Sequence, residues 1–135
     1  MRVKAIKNIL DSRDKEILKG TFYANQDYHF TVGKEYIVLG ISFKIINNTL
    51  ISILEHLSDY GHITSSPLFM FNIINNNSSK FWKLKLWDDG SITQFPELFY
   101  QEYFHDEYSD RVLDAVNKFK SLYNEIQNED YDLEC

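Results

Sequence analysis

Apolar and polar residues alternate through roughly the first two thirds of the chain and switch to a helical spacing only near its end. Val3 and Ala5, at period two, predict a first strand from Arg2 to Lys7 with a wet, basic face. Residues 11–20 are charged, with Ile17 and Leu18 as their apolar members; they read as a helical turn ended by Gly20 or as a loop. Gly33–Phe43 is the strongest strand. Tyr36 and Val38 share one parity and Ile37, Leu39 and Ile41 the other, so this strand is central or twists between two layers. Gly40 in its middle marks a bulge or a close backbone approach. Asn47–Asn48 is a turn, and Thr49–His56 returns as the hairpin partner.

Residues 58–67 are polar and punctuated, which predicts a loop. Leu68–Ile74 is apolar and predicts a buried strand, and 75–79 a turn. Phe81–Trp87 alternates, with Trp82, Leu84 and Leu86 on one face and Lys83, Lys85 and Trp87 on the other. Asp89–Gly90 is a strong hairpin dipeptide, with Ser91–Phe95 as the return strand. Pro96 suits a first helical position, which predicts a short helix to about Phe104. A second helix is expected from Ser109 as N-cap, with Val112, Val116, Phe119, Tyr123 and Ile126 as its apolar stripe and Asp114–Lys118 as an i,i+4 pair.

Strands first and helices last give an α+β fold: a bent antiparallel sheet of about five or six strands, open or curled toward a barrel, with C-terminal helices packed on it. At 135 residues one domain is expected. It would be strand-rich over 1–95 and helical over 96–128, with a frayed acidic tail over 129–135. Hydrophobic content of 44% is enough for a core. The lone cysteine, Cys135, can form no intrachain disulfide. No run approaches the roughly 20 apolar residues of a membrane span, and no signal peptide is visible, so a cytoplasmic location is expected.

The charge of −6 is uneven. Residues 97–135 hold eleven acids and three bases, whereas 1–96 carry a net +2. That bias argues against nucleic acid as a partner of the C-terminal segment and favours a basic partner drawn in by long-range attraction. Acids interleave with tyrosines there, a composition suited to recognition. The candidate binding residues are Glu97, Tyr100, Glu102, Tyr103, Asp106, Glu107, Tyr108, Asp110 and Asp114.

Catalytic and metal signatures are weak. The four histidines make no ligand cluster, though His105-Asp106-Glu107 is ligand-like in type, and scattered glycines make no phosphate loop. Neither a cofactor nor a metal is expected. Lys80, Lys83, Lys85 and Trp82 form a basic, aromatic hairpin of the kind seen in single-strand binders, but the overall acidity opposes that reading.

Residues 33–41 together with Phe95–Phe99, Tyr103, Phe104 and Asp106 resemble small bacterial immunity proteins. These accompany contact-dependent growth inhibition and other polymorphic toxin systems. The resemblance implies a non-enzymatic inhibitor that neutralises a cognate toxin domain, often a nuclease with a basic active site, by covering that site or its substrate path. It carries over no interface residue. A protein-binding adaptor and a small hydrolase using paired carboxylates are the other two readings.

Overall fold

The computed structural model describes the backbone of residues 1–132 and side chains through Glu129. Among the described residues, eight strands form two antiparallel sheets, and three α-helices complete the fold. The small sheet has the order β2(Glu35–Ile37)-β1(Arg2–Ala5)-β6(Phe71–Asn75). The large one has the order β5(Ile63–Pro67)-β4(Thr49–Leu57)-β3(Gly40–Ile46)-β8(Ile92–Pro96)-β7(Trp82–Leu86). The expected α+β class with C-terminal helices is therefore present, and the sheets stay open rather than closing into a barrel.

The long strand expected over 33–43 is two strands in two sheets. The chain crosses at Val38 and Leu39. Val38 donates its N–H to Met1 O at 3.0 Å, on the small-sheet side, and Leu39 donates to Glu55 O at 2.7 Å, on the large-sheet side. This explains why both parities are apolar: Val38 is wholly buried in the core between the sheets and Leu39 in the core under the C-terminal helices. Gly40 then permits a close approach, since a Cβ there would lie 2.4 Å from Phe95 Cδ1. Asn47 and Asn48, both at positive φ, make the β3–β4 turn, as twisted two-residue hairpins require.

One core lies between the sheets. His56 sits in it, fully buried among the rings of Tyr36, Phe71 and Phe30. The second core lies under the helices α2(Phe104–Ser109) and α3(Leu113–Asp132), where Leu39, Phe99, Phe104, Phe119 and Ile126 are buried. Burying a side chain of this size contributes about 1.5–3 kcal/mol. The helix α1(Ser12–Ile17) is secured by a reciprocal capping box between Asp11 and Asp14 and by Lys7, which pairs with Asp14 at 2.6 Å.

Several expectations need correction. The loop over 58–67 contains β5, whose polar sequence Ile-Thr-Ser-Ser-Pro suits an edge strand ending in proline. The segment 68–74 is a 3-10 turn followed by β6, and Ile73 and Ile74 are exposed because β6 is an edge strand. Pro96 ends β8, and a 3-10 turn over Glu97–Tyr100 replaces the first helix. Ser109 closes α2 instead of capping α3. The α3 stripe holds at Phe119 and Ile126, which are buried, whereas Val112 precedes the helix and is exposed. Helical backbone continues through Asp132. Leu133 to Cys135, on which the rest of the frayed-tail expectation falls, lie outside the described residues.

The small sheet covers only part of its neighbour. Ile45 faces Leu50, and Leu86 faces Ile92, which is paired in turn with Phe43 of β3. Together with Leu84 they leave an exposed apolar strip running from β4 to the edge strand β7.

Candidate functional site

The stretch that turns the chain from sheet to helix divides by side. Phe99, Phe104 and Tyr108 point inward. Phe99 stacks on Phe104 at 5.7 Å between centroids, and Tyr108 meets Phe119 edge-on at 4.8 Å. Tyr108, expected in the binding set, is thus buried, and its hydroxyl donates to Gly61 O at 2.8 Å. The acids and Tyr103 stand outward on this aromatic platform. Glu97, Glu102, Asp106, Glu107 and Asp110 are exposed and form no ion pair among the described residues. Asp114 lies in the first turn of α3 and pairs with Lys118 at 3.0 Å, as its spacing predicts.

Tyr103 is the exceptional residue of this rim. It is 65% exposed and sits at φ 67°, a left-handed conformation that costs a non-glycine residue roughly 1–2 kcal/mol. Its carbonyl accepts from Glu107 N at 2.9 Å, so the strained residue starts α2. His105 lies against Phe99 and Phe104. Desolvation there lowers its pKa despite the nearby Asp106 carboxylate, which keeps the rim's charge acidic at neutral pH.

Tyr100 is half-buried and committed to a relay. Its hydroxyl donates to Lys83 O at 2.8 Å, so Thr93 Oγ1, 2.7 Å away, must donate to Tyr100. Thr93 Oγ1 in turn accepts from the Trp87 indole N–H at 3.0 Å. The rim is thereby linked to a cleft on the large sheet.

That cleft holds about 350 Å³. Its floor is one face of the sheet, because Ser42, Lys44, Glu55, Ser65, Ser91 and Thr93 share a parity across β3, β4, β5 and the β8 end. Tyr23, Trp87 and Phe95 are its aromatic walls. Burial pushes the Glu55 carboxyl up to about 7, outweighing the hydrogen bond from Ser65 Oγ at 2.7 Å and the charge of Lys44. Tyr23 is raised to about 12 by burial and by the nearby Glu55. Asp89, at the rim of the cleft, is held low by the Ser91 hydroxyl at 2.6 Å. Sequence reading missed this site. The available signal was polar residues on inward parities, Glu55 within an apolar strand and Ser42 and Lys44 across the hairpin.

Among the described residues no group of three or more His, Cys, Asp or Glu is placed to hold a metal ion. No described helix is long and apolar enough to cross a membrane. Set against known proteins, the chain matches no family model, no curated protein and no solved structure.

Proposed function

We propose that the protein is a non-enzymatic inhibitor of the immunity type, which docks its acidic rim onto a basic toxin domain, a nuclease by charge complementarity, and blocks that domain's active site or substrate path in the cytoplasm. The observation that carries this reading is Tyr103, an exposed aromatic held in a strained backbone conformation amid five carboxylates that form no ion pair among the described residues. Strain retained on a surface points to a task other than stability. An aromatic anchor ringed by steering charges is the composition of an interface centre. A stable complex of this kind buries on the order of 800 Å² per partner.

The test is co-expression with the C-terminal domain of a toxin encoded immediately upstream. Rescue of growth and co-purification are expected. Failure of both overturns the reading. A second reading, a protein-binding adaptor, is favoured by the apolar strip over Ile45, Leu84 and Leu86, since contiguous exposed apolar surface marks interaction sites. The double variant Leu84→Glu/Leu86→Glu separates the two: it abolishes partner capture by an adaptor and leaves capture by the acidic rim intact.

A further inference from the structure

The cleft over β3, β4 and β8 is built from groups that the docking rim does not use. Its charges are mixed in sign and held apart: one ammonium, Lys44, stands among two carboxyl groups, Glu55 and Asp89. Lys44 is half-buried, forms no ion pair among the described residues, and lies within electrostatic reach of both Glu55 and Asp89. An anionic ligand would meet two carboxylates. A cationic one would meet Lys44. No third His, Cys, Asp or Glu joins Glu55 and Asp89 among the described residues, and the Lys44 ammonium beside them opposes a cation. The charge pattern therefore selects a neutral ligand.

The hydrogen-bonding capacity narrows it further. Ser65 and Ser91 spend their protons on Glu55 and Asp89, which leaves their oxygens as acceptors. Lys44 offers donors. Near neutral pH Glu55 populates both protonated and ionised forms, so it can donate or accept. A surface of mixed donors and acceptors suits hydroxyl groups, each of which is both. The wall is rigid, since Trp87 is pinned through Thr93 to Tyr100, and Lys85 Nζ sits 3.8 Å from the centre of its ring. The volume of about 350 Å³ falls at the low end of small-molecule sites, which run roughly 300–1,000 Å³.

We propose that this cleft binds a neutral polyhydroxylated ligand of the saccharide class, with a ring face against Trp87 and hydroxyls bonded to Glu55 and Lys44. Trp87 and Lys44 touch the ligand, and Tyr100 is a positioning residue acting through Thr93. The site shares no ligand contact with the acidic rim, so either proposal can fail alone.

The test is saturation-transfer NMR on the full chain with glucose, galactose, N-acetylglucosamine, maltose and chitobiose, and with adenosine and free lysine as heteroaromatic and cationic controls. At least one saccharide is expected to bind, and to bind about tenfold or more weakly in both Trp87→Leu and Lys44→Met. The rim variant Asp106→Lys/Glu107→Lys/Asp110→Lys is expected to bind it unchanged. If Trp87→Leu fails to fold, Lys44→Met decides. Absence of saccharide binding, binding of adenosine or lysine in its place, or unchanged affinity in folded Lys44→Met overturns the proposal.

Discussion

Glu55 and His56 are neighbours on β4, point to opposite faces and titrate in opposite senses. Burial raises Glu55 to about 7 and lowers His56 to about 4. The His56 tautomer follows from its partners: Nδ1–H donates to Leu57 O at 3.0 Å, and Nε2 accepts from Ser66 at 2.8 Å. As pH falls from about 7 to 4.5, the folded state takes up the Glu55 proton before the unfolded state does, so this group stabilises progressively. As pH falls from about 6.5 to 4, the unfolded state protonates its histidine first, and the contribution of His56 is lost. Over the shared window the two slopes oppose each other and leave the wild type nearly flat. Glu55→Gln is therefore expected to gain at most about 3 kcal/mol at pH 8 and to lose stability as the medium is acidified below pH 6.5. His56→Phe is expected to show the inverse slope from a lower baseline, because it strands the Ser66 hydroxyl. Urea midpoints measured against pH check both, and a Glu55→Gln profile parallel to wild type would refute the assignment. At Tyr103 the prediction concerns strain. Tyr103→Asn, which tolerates the left-handed region, is expected to raise stability by roughly 1 kcal/mol while weakening the proposed toxin binding. A stability gain with full binding would remove Tyr103 from the interface.

At the scale of elements, the seam between sheet and helices rests on Phe95 lying over Gly40. A methyl group at position 40 would lie 2.4 Å from Phe95 Cδ1 and 3.1 Å from Gln94 O, so ring and strand must both move. Gly40→Ala is expected to cost about 1–3 kcal/mol by overpacking. Adding Phe95→Leu should restore part of that loss, and a double-mutant cycle in chemical denaturation reads the coupling. Purely additive losses would show that the contact is not what Gly40 protects. The glycine was legible in the sequence as a bulge or a close approach, and the structure selects the second; the Asn47–Asn48 turn was legible from its residue types. What could not be read was where the strand through Val38 changes sheets, because an apolar run carries no mark of which layer it pairs with. β5 was missed for the opposite reason. Its backbone pairs with β4, but as an edge strand it needs few apolar side chains. Ser109 has the chemistry of an N-cap, yet Arg111 at φ 60° delays the next helix to Leu113.

The whole molecule separates its two candidate sites by how they are assembled. The rim is contiguous in sequence, so its acids and tyrosines could be named from composition; only burial could divide Tyr108 from Tyr103. The cleft draws on five chain segments and becomes visible only once the strand register places Glu55, Ser65 and Thr93 on one face. Charge is likewise a property of the whole chain, with the excess of acids confined to residues 97–135. Such a field acts before contact, on encounter, and is screened over about 10 Å at 0.1 M salt. Asp106, Glu107 and Asp110 make no ion pair within the described residues, so reversing all three removes long-range attraction at the cost only of weak exposed terms, the Asp106–His105 attraction and the acids of the first turn of α2. The variant Asp106→Lys/Glu107→Lys/Asp110→Lys should accordingly keep its unfolding midpoint close to wild type. Its association with the proposed toxin domain should slow by about tenfold or more at low salt, and the two proteins' rates should converge as salt is raised, because screening erases the difference. Dissociation should change less, since the proposed interface has these residues at its periphery and Tyr103 at its centre. Stopped-flow association over a salt series distinguishes the cases. An on-rate unaltered at low salt would mean that the partner approaches another face, and the uncovered strip along β7 would then be the surface to test.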